Sequence, residues 1–212
     1  MRNPKTSIGV IDYGAGNVEN VIRAFEHLGH SAKLIQSPGH LSNASHAVIP
    51  GVGSFKFGME KLHAGGFVSE IQKFADDGKP ILGICLGMQL MATKGFEHGE
   101  TLGLNLFPGQ VEKMVAYGDS TSTARVPHTG WTRVVKTGER VPTIVQNDDY
   151  YFSHSFEFFP EIGKSFVNAE YERFGNKVTA ALENRNIFGV QFHPEKSGAS
   201  GLLLLKKFAI LS

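Results

Sequence analysis

The chain contains one cysteine, Cys85, and a glycine stands two residues away on each side of it. The apolar run Pro80–Ile84 predicts a short buried strand, and residues 86–92 predict the opening of a helix. Cys85 therefore stands at a strand-to-helix turn, in the Gly-x-Cys-x-Gly arrangement of a nucleophile elbow with sulfur in place of oxygen. Gly83 and Gly87 let the backbones of the strand and the helix approach closely. The turn predicts a nucleophilic thiol in a fold where a strand leads directly into a helix.

In the first half of the chain, the spacing of apolar residues alternates between that of strands and that of helices. Short apolar runs alternate with amphipathic segments, with strands predicted at 7–11, 32–35 and 47–49 and helices at 18–28 and 67–75. This alternation predicts an α/β fold with a doubly wound, mostly parallel sheet and flanking helices. Ligands of such sheets bind at the carboxyl ends of the strands, where Cys85 and the glycine-rich segment Pro50–Phe55 both stand.

The second half is rich in short β-prone runs with no helix between them. These runs lie at 102–115, 125–135, 149–158, 165–171, 178–182 and 187–192. We expect them to add an antiparallel and mixed β layer to the parallel sheet. A closing helix is predicted to start near Ser197–Gly201, and residues 117–124 are predicted to form a loop. With no linker or repeat, residues 1–212 are expected to form a single domain.

Composition limits the classes of partner. The 21 basic and 20 acidic side chains give a net charge of +1, which predicts no nucleic-acid or membrane-surface partner. The apolar run 202–205 is too short to span a bilayer, and residues 1–6 have no signal-peptide pattern. One cysteine cannot form an internal disulfide, so we expect a cytoplasmic protein. No cluster of Cys, His, Asp or Glu has metal-ligand spacing, so we expect no metal and no other cofactor.

A nucleophilic thiol needs a base, and His193 is the best placed of the nine histidines. It follows the apolar run 187–192 at a predicted strand end, and Glu195 is the next residue but one. Cys85, His193 and Glu195 thus supply a nucleophile, a base and a carboxylate that orients the base. His154 is the alternative base, although no carboxylate stands near it on an equivalent turn. Without a base, Cys85 would be a buried structural cysteine.

Two motifs carry a resemblance to a known family. Gly83–Gln89 and Gly189–Glu195 resemble the corresponding motifs of class I glutamine amidotransferases, which release ammonia from glutamine. Three further segments narrow the resemblance: Asp12–Asn17, Pro50–Phe55 and Pro127–Trp131. Together they resemble the glutaminase subunits of imidazole glycerol phosphate synthases, from about Ile8 to the C-terminus.

The resemblance implies a role for each member of the predicted triad. Cys85 would attack the glutamine carboxamide, His193 would move the protons, and Glu195 would orient His193. The oxyanion would bind backbone N–H groups of Leu86 and of the segment Gly51, Val52 and Gly53.

The resemblance also implies how glutamine is held. Gln89 lies one helical turn after Cys85 on the same predicted face, which supports its assignment independently. The residues expected to bind the amino and carboxylate ends of glutamine are Gly53, Gln89, Glu97, His154, Ser155 and Phe156.

The implied partner is a (β/α)₈-barrel cyclase that forms a heterodimer with this chain and receives its ammonia to make imidazole glycerol phosphate. The partner would seal the cleft, and would switch on hydrolysis by rotating a peptide unit in the Gly51–Gly53 segment. The expected interface residues are Asn17, Pro50, Trp131 and Lys196. Thr129 and Thr132 depart from the residues usual in this family, which leaves another acceptor open. The alternative is a paralogous glutaminase that supplies a different synthase, such as one that amidinates a surface sugar.

Overall fold

A computed structural model describes residues 6–114, 126–137, 144–161, 166–173 and 175–211. The predicted loop at 117–124 lies outside these residues, as do the ends of the strands predicted to include positions 115, 125 and 165. In chain order the strands are β1 (Ser7–Ile11), β2 (Ser31–Ile35), β3 (His46–Gly51), β4 (Ile81–Cys85), β5 (Ala92–Gly95), β6 (Thr101–Leu102), β7 (Phe107–Lys113), β8 (His128–Lys136), β9 (Asp148–His154), β10 (Phe156–Pro160), β11 (Val167–Arg173), β12 (Asn176–Asn184) and β13 (Ile187–Val190). The helices are α1 (Val18–His27), α2 (Phe55–Ala64), α3 (Phe67–Asp76), α4 (Leu86–Leu90) and α5 (Gly198–Ala209).

In the described residues, nine strands form one sheet in the order β2-β1-β3-β4-β13-β12-β11-β8-β9. The strands from β2 to β13 are parallel to their neighbours, and those from β13 to β9 are antiparallel. Every residue of β3 and β4 is buried, as expected for strands with helices on both faces. The pairing of β3 with β4 sets Gly51 opposite Cys85 at the carboxyl edge. The edge predicted to hold the site is therefore formed by the central parallel strands.

The helices pack on both faces of this sheet. On one face, α1 and α5 contribute Phe25 and Phe208 to the hydrophobic core. On the other face, α2 and α3 contribute Phe55 and Phe74, and the core continues into a second sheet. Within the part of the chain described, no helix is long and apolar enough to cross a membrane.

The second sheet has the strand order β10-β7-β5-β6 and mixed pairing, antiparallel except between β5 and β7. The added mixed layer thus consists of this small sheet, whereas most of the later antiparallel strands extend the large sheet. The helix predicted to open at 86–92 ends earlier, at Leu90, and β5 starts at Ala92. The carbonyl of Met91 accepts hydrogen bonds from the N–H groups of Leu106 and Phe107, both at 2.9 Å. These bonds to the segment that starts β7 replace helical ones, so the helix ends before Met91.

Helix α2 was not predicted. Its buried residues Phe55, Met59 and Leu62 have helical spacing, but the glycine-rich segment before it suggested only a loop. The side chain of Ser54 caps the helix by accepting the N–H of Phe57 at 3.4 Å. Gly58 faces α4, where a β-carbon would lie 3.0 Å from the Leu90 side chain. The helix therefore ends the glycine-rich segment and packs directly behind the predicted nucleophile.

Replacing Gly87 tests the close approach at the strand-to-helix turn. A β-carbon at Gly87 would overlap the carbonyl oxygen of Ile49, which belongs to the central sheet and cannot easily move. We expect Gly87→Ala to lower the free energy of unfolding by about 3 kcal/mol, measured by urea titration.

The matched control is Gly39→Ala, because nothing lies within 4 Å of a β-carbon at Gly39. Its free energy of unfolding should stay within about 0.5 kcal/mol of the parent value. Equal unfolding midpoints for both variants would contradict the steric account.

Candidate active site

Cys85 ends β4 and directly precedes α4. Its backbone has φ of 54° and ψ of −110°, which is an unfavourable conformation for a residue with a side chain. The tight packing around Gly83 and Gly87 holds the backbone there, since a β-carbon at Gly83 would lie 2.7 Å from the amide nitrogen of Met88. The thiol lines a cleft although Cys85 as a whole is only 5% exposed. The strained backbone thus directs the Cys85 sulfur into the cleft, while the rest of the turn is buried.

His193 and Glu195 form a buried hydrogen-bonded pair beside this thiol. Nδ1 of His193 lies 2.9 Å from Oε1 of Glu195, and the two side chains are 4% and 2% exposed. Because an ionised carboxylate can only accept, Nδ1 carries the proton and Nε2 is left for Cys85. Burial alone would lower the pKa of His193, but hydrogen bonds and charges from Cys85 and Glu195 outweigh burial and raise it to about 9. The three predicted triad residues therefore lie together in an arrangement that favours a charged imidazole next to the sulfur.

The segment that carries His193 is fixed by backbone contacts. The N–H of His193 donates to the carbonyl of Tyr151 at 2.9 Å. Its carbonyl accepts the hydroxyl of Ser197 at 2.6 Å, and the same hydroxyl oxygen accepts the N–H of Tyr151 at 3.0 Å. A 3₁₀ turn at Pro194–Lys196 then folds Glu195 back under the imidazole. These hydrogen bonds and the 3₁₀ turn fix the positions of His193 and Glu195 relative to each other.

The cleft at the carboxyl edge has a volume of about 370 Å³, which falls in the range of small-molecule sites. Its lining includes most of the residues predicted to act on or hold the substrate. These residues are Val52, Gly53, Cys85, Leu86, Gln89, Glu97, His154, Ser155, Phe156 and His193. Lys196, predicted at the partner interface, also lines it, and Pro127 and Ser153 complete it. Gly51 lies beside it, opposite Cys85 on β3.

The carbonyl oxygen of Phe156 organises one wall of the cleft. It accepts hydrogen bonds from Nε2 of Gln89 at 2.9 Å and from Nδ1 of His154 at 2.8 Å. The backbone of Phe156 makes these contacts, so they do not depend on the Phe156 side chain. On another wall, Oε2 of Glu97 accepts the N–H of Phe55 at 2.7 Å and is held at the start of α2.

His154, the alternative base, is engaged at both ring nitrogens. Its Nδ1–H donates to the Phe156 carbonyl, and its Nε2 lies 3.2 Å from both Nδ1 of His128 and the hydroxyl of Tyr171. Burial lowers the pKa of His154 to about 3, so this imidazole is neutral at neutral pH. Burial and the charge of Arg173 lower the pKa of His128 to about 4. The geometry therefore favours His193 as the base.

Three of the four predicted interface residues are exposed. Asn17 caps α1, Trp131 is 57% exposed and packs edge-to-face on Tyr151, and Lys196 is exposed beside the cleft. Pro50 is buried, so its assignment to an exposed surface needs correction. It lies within β3, and its carbonyl accepts the hydroxyl of Tyr13 at 2.8 Å.

Several groups at the site were not predicted. They are Gln191, Ser153, Tyr13, His128 and Tyr171, whose contacts join residues far apart in the chain. Burial, with a smaller contribution from Cys85, raises the pKa of Tyr13, and its hydroxyl donates to the carbonyl of Pro50 at 2.8 Å. Gln191, His128 and Tyr13 stand inside motifs that carry the family resemblance, but the spacing of these motifs assigns no role to them. Among the described residues, no three of His, Cys, Asp or Glu are grouped as metal ligands.

Comparison with protein families and known proteins identifies similar chains. The family model for glutamine amidotransferase class-I matches residues 9–211. Imidazole glycerol phosphate synthase subunit HisH 1 of Legionella pneumophila (strain Lens) is 38% identical over 211 residues, which cover 96% of this chain and 98% of the relative. Imidazole glycerol phosphate synthase subunit HisH of Lacticaseibacillus casei (strain BL23) is 42% identical over 202 residues, or 95% of this chain and 94% of the relative.

Solved structures share the fold at lower identity. The structure of PurLQS from Thermotoga maritima has a TM-score of 0.74 at 20% identity and covers 97% of this chain and 98% of that chain. The crystal structure of a glutamine amidotransferase has a TM-score of 0.72 at 19% identity and covers 96% of this chain and 99% of that chain. The predicted α/β fold with flanking helices and mixed strands is confirmed.

The lowered pKa values of His128 and His154 predict acid sensitivity. Below their ordinary pKa of 6.5 the unfolded chain binds protons at both histidines, whereas the folded chain binds them only near pH 4 and pH 3. Stability is therefore present above pH 6.5 and is lost as the pH falls from there. His128→Phe keeps the stacking on Phe152 and Tyr171 but removes one of these protons. It should reduce the slope of unfolding free energy against pH, between pH 6 and pH 5, by about 1.4 kcal/mol per unit.

Tyr171→Phe is the control, because it breaks the same network without removing a group that titrates between pH 5 and pH 6. Its curve should run below that of the parent and parallel to it. A slope for His128→Phe equal to that of the parent would contradict the neutral-histidine account.

Proposed function

We propose that this chain, which belongs to the class I glutamine amidotransferase family and within it to the HisH subunits of imidazole glycerol phosphate synthase, hydrolyses glutamine and delivers the ammonia to a cyclase. The family predicted from the motifs is confirmed, and the chain is a glutamine amidotransferase. The observation that carries the mechanism is that Cys85 and His193 line one cleft, where His193 is hydrogen-bonded to the buried carboxylate of Glu195.

In the first half-reaction, Nε2 of His193 takes the thiol proton of Cys85, and the sulfur attacks the carboxamide carbon of glutamine. The oxygen becomes an oxyanion, for which backbone N–H groups of Leu86 and of the Gly51–Gly53 segment are the proposed donors. His193 then gives its proton to the amide nitrogen, the carbon–nitrogen bond breaks, and ammonia leaves. A γ-glutamyl thioester remains on Cys85.

In the second half-reaction, His193 takes a proton from water, and the resulting hydroxide equivalent attacks the thioester carbon. The carbon–sulfur bond breaks, the sulfur recovers its proton through His193, and glutamate leaves. Glu195 holds the imidazole in the orientation that both steps need and stabilises it when charged. The raised pKa of His193 supports this role in the first half-reaction, because hydrogen bonds and charges from Cys85 and Glu195 favour the cation that forms there.

Hydrogen-bond accounting supports Gln89 and Glu97 as ligands of the substrate's ammonium group. Both N–H groups of the Gln89 amide are used, by the Phe156 carbonyl and by Gln191, so its oxygen alone is left to accept from a ligand in the cleft. Glu97 contributes a carboxylate to the same cleft. The Phe156 carbonyl already accepts two hydrogen bonds, so it orders the wall of the site and leaves binding to its neighbours.

A cyclase partner accounts for the surface around the cleft. Ammonia released into water at neutral pH becomes protonated and stops being a nucleophile, so the product needs a closed route to its acceptor. Exposed Trp131, Asn17 and Lys196 would provide an aromatic anchor, a polar side chain and a cation at this contact. Gly53, with φ of 110°, lies on the segment proposed to rotate when the partner binds its ligand.

Removing the nucleophile separates the two halves of the proposal. In the purified complex with the cyclase, Cys85→Ala should reduce glutamine-dependent formation of imidazole glycerol phosphate at least about a thousandfold, because no thioester can form. Synthesis driven by added ammonium salt should stay at the parental rate, since the acceptor site lies on the other chain. The parent should turn over glutamine faster in the complex than alone, mainly through kcat.

Two outcomes would contradict the proposal. Glutamine hydrolysis retained by Cys85→Ala would remove the nucleophile from the mechanism. A parent complex that hydrolyses glutamine but leaves the cyclase's substrate unchanged would favour the alternative of another synthase.

A further inference from the structure

We infer that Gln191 is a positioning residue for the nucleophile: its amide donates a hydrogen bond to the Cys85 sulfur and ties that sulfur to Gln89 in the glutamine-binding wall. The inference rests on the proposed function, because it gives Gln191 a purpose only if Cys85 attacks the substrate. Nε2 of Gln191 lies 3.7 Å from Sγ of Cys85. Oε1 of Gln191 accepts Nε2 of Gln89 at 2.9 Å.

Gln191 is held rigidly in the core. Its residue exposure is 0%, and its backbone N–H donates to the carbonyl of Ala180 at 2.9 Å. It follows β13 directly and stands two residues before His193. A buried amide needs partners for its polar atoms, and here those partners are the nucleophile and Gln89.

The orientation of both amides follows from one carbonyl. The Phe156 oxygen can only accept, so Gln89 must turn its NH₂ group toward it. The same nitrogen faces Gln191, which must therefore present its oxygen to Gln89 and its NH₂ group to the opposite side. The Cys85 sulfur lies on that side. Reversing either amide would set like groups against each other.

The direction of the last hydrogen bond favours a negatively charged sulfur. An N–H donor stabilises a thiolate more than a neutral thiol, since hydrogen bonds to charged acceptors are the stronger ones. A competing contact acts the other way: Sγ of Cys85 lies 3.8 Å from the carbonyl oxygen of Ser153, which can interact favourably only with the protonated thiol. Gln191 thus gives the sulfur a hydrogen-bond donor that opposes this purely accepting neighbour and favours the thiolate.

The test removes the donor in two ways. Gln191→Leu removes both side-chain hydrogen bonds, whereas Gln191→Glu keeps an oxygen for Gln89 and replaces only the group that faces the sulfur. Iodoacetamide should alkylate Cys85 in both variants at least about tenfold more slowly than in the parent protein, at pH 7.5 and without glutamine. In the complex with the cyclase, kcat for glutamine should fall by a similar factor. The KM of Gln191→Glu should stay within about threefold of the parent value.

Asn186→Ala is the matched control for a merely structural effect. Nδ2 of Asn186 donates to the carbonyls of Ala75 and Lys79 at 2.8 and 2.9 Å, at the opposite end of β4 from Cys85. This variant should lose stability in urea while its alkylation rate and kcat stay within twofold of the parent values.

Each outcome decides the role of Gln191. Alkylation and kcat within twofold of the parent in either Gln191 variant would overturn it, as would an equal loss in Asn186→Ala. A normal kcat with a raised KM would limit Gln191 to supporting Gln89 and would also overturn it. If the parent complex does not hydrolyse glutamine at all, the proposed function fails. If the parent hydrolyses glutamine and the variants match it, only the role of Gln191 fails.

Discussion

The close approach of β3, β4 and α4 is the constraint on which the site depends. Gly87 lies so near the Ile49 carbonyl that no larger side chain fits, and Gly51 lies opposite Cys85 on the neighbouring strand. Packing of this kind holds Cys85 in a conformation that would otherwise cost about 1–3 kcal/mol. Packing of the buried sheet and its helices offsets this conformational cost. The strained turn therefore holds the Cys85 sulfur in one position.

Burial has opposite consequences for the histidines around that sulfur. His193 is buried beside Glu195 and Cys85, whose hydrogen bonds and charges outweigh burial and favour its cation. His154 is buried beside a carbonyl, a hydroxyl and another imidazole, so it stays neutral and orders a wall of the cleft. The hydrogen-bond partners of the two histidines assign their roles, since both side chains line the same cleft as Cys85. The Phe156 carbonyl links these groups, because it orients His154 and, through Gln89, the amide that faces Cys85.

Local patterns predicted much of this arrangement, and long-range contacts account for the rest. The elbow, the strand–helix alternation and the His193–Glu195 motif are contiguous in sequence, so the fold and the family could be predicted from them. Helix α2 was missed because its apolar spacing follows a glycine-rich segment. Pro50 was assigned to the surface because a residue after a strand was expected to be exposed, but β3 continues through it. Gln191 could not be assigned, because its partners lie about a hundred positions away.

The central claim is that Cys85 attacks the glutamine side chain with help from His193. A glutamine analogue that carries an electrophilic ketone in place of the carboxamide tests it most directly. Mass spectrometry of the digested complex should find one analogue per chain, on the peptide that contains Cys85. Excess glutamine should prevent labelling, and His193→Ala should slow it strongly. Labelling of another residue, or labelling of Cys85 that neither glutamine nor the loss of His193 affects, would contradict the account.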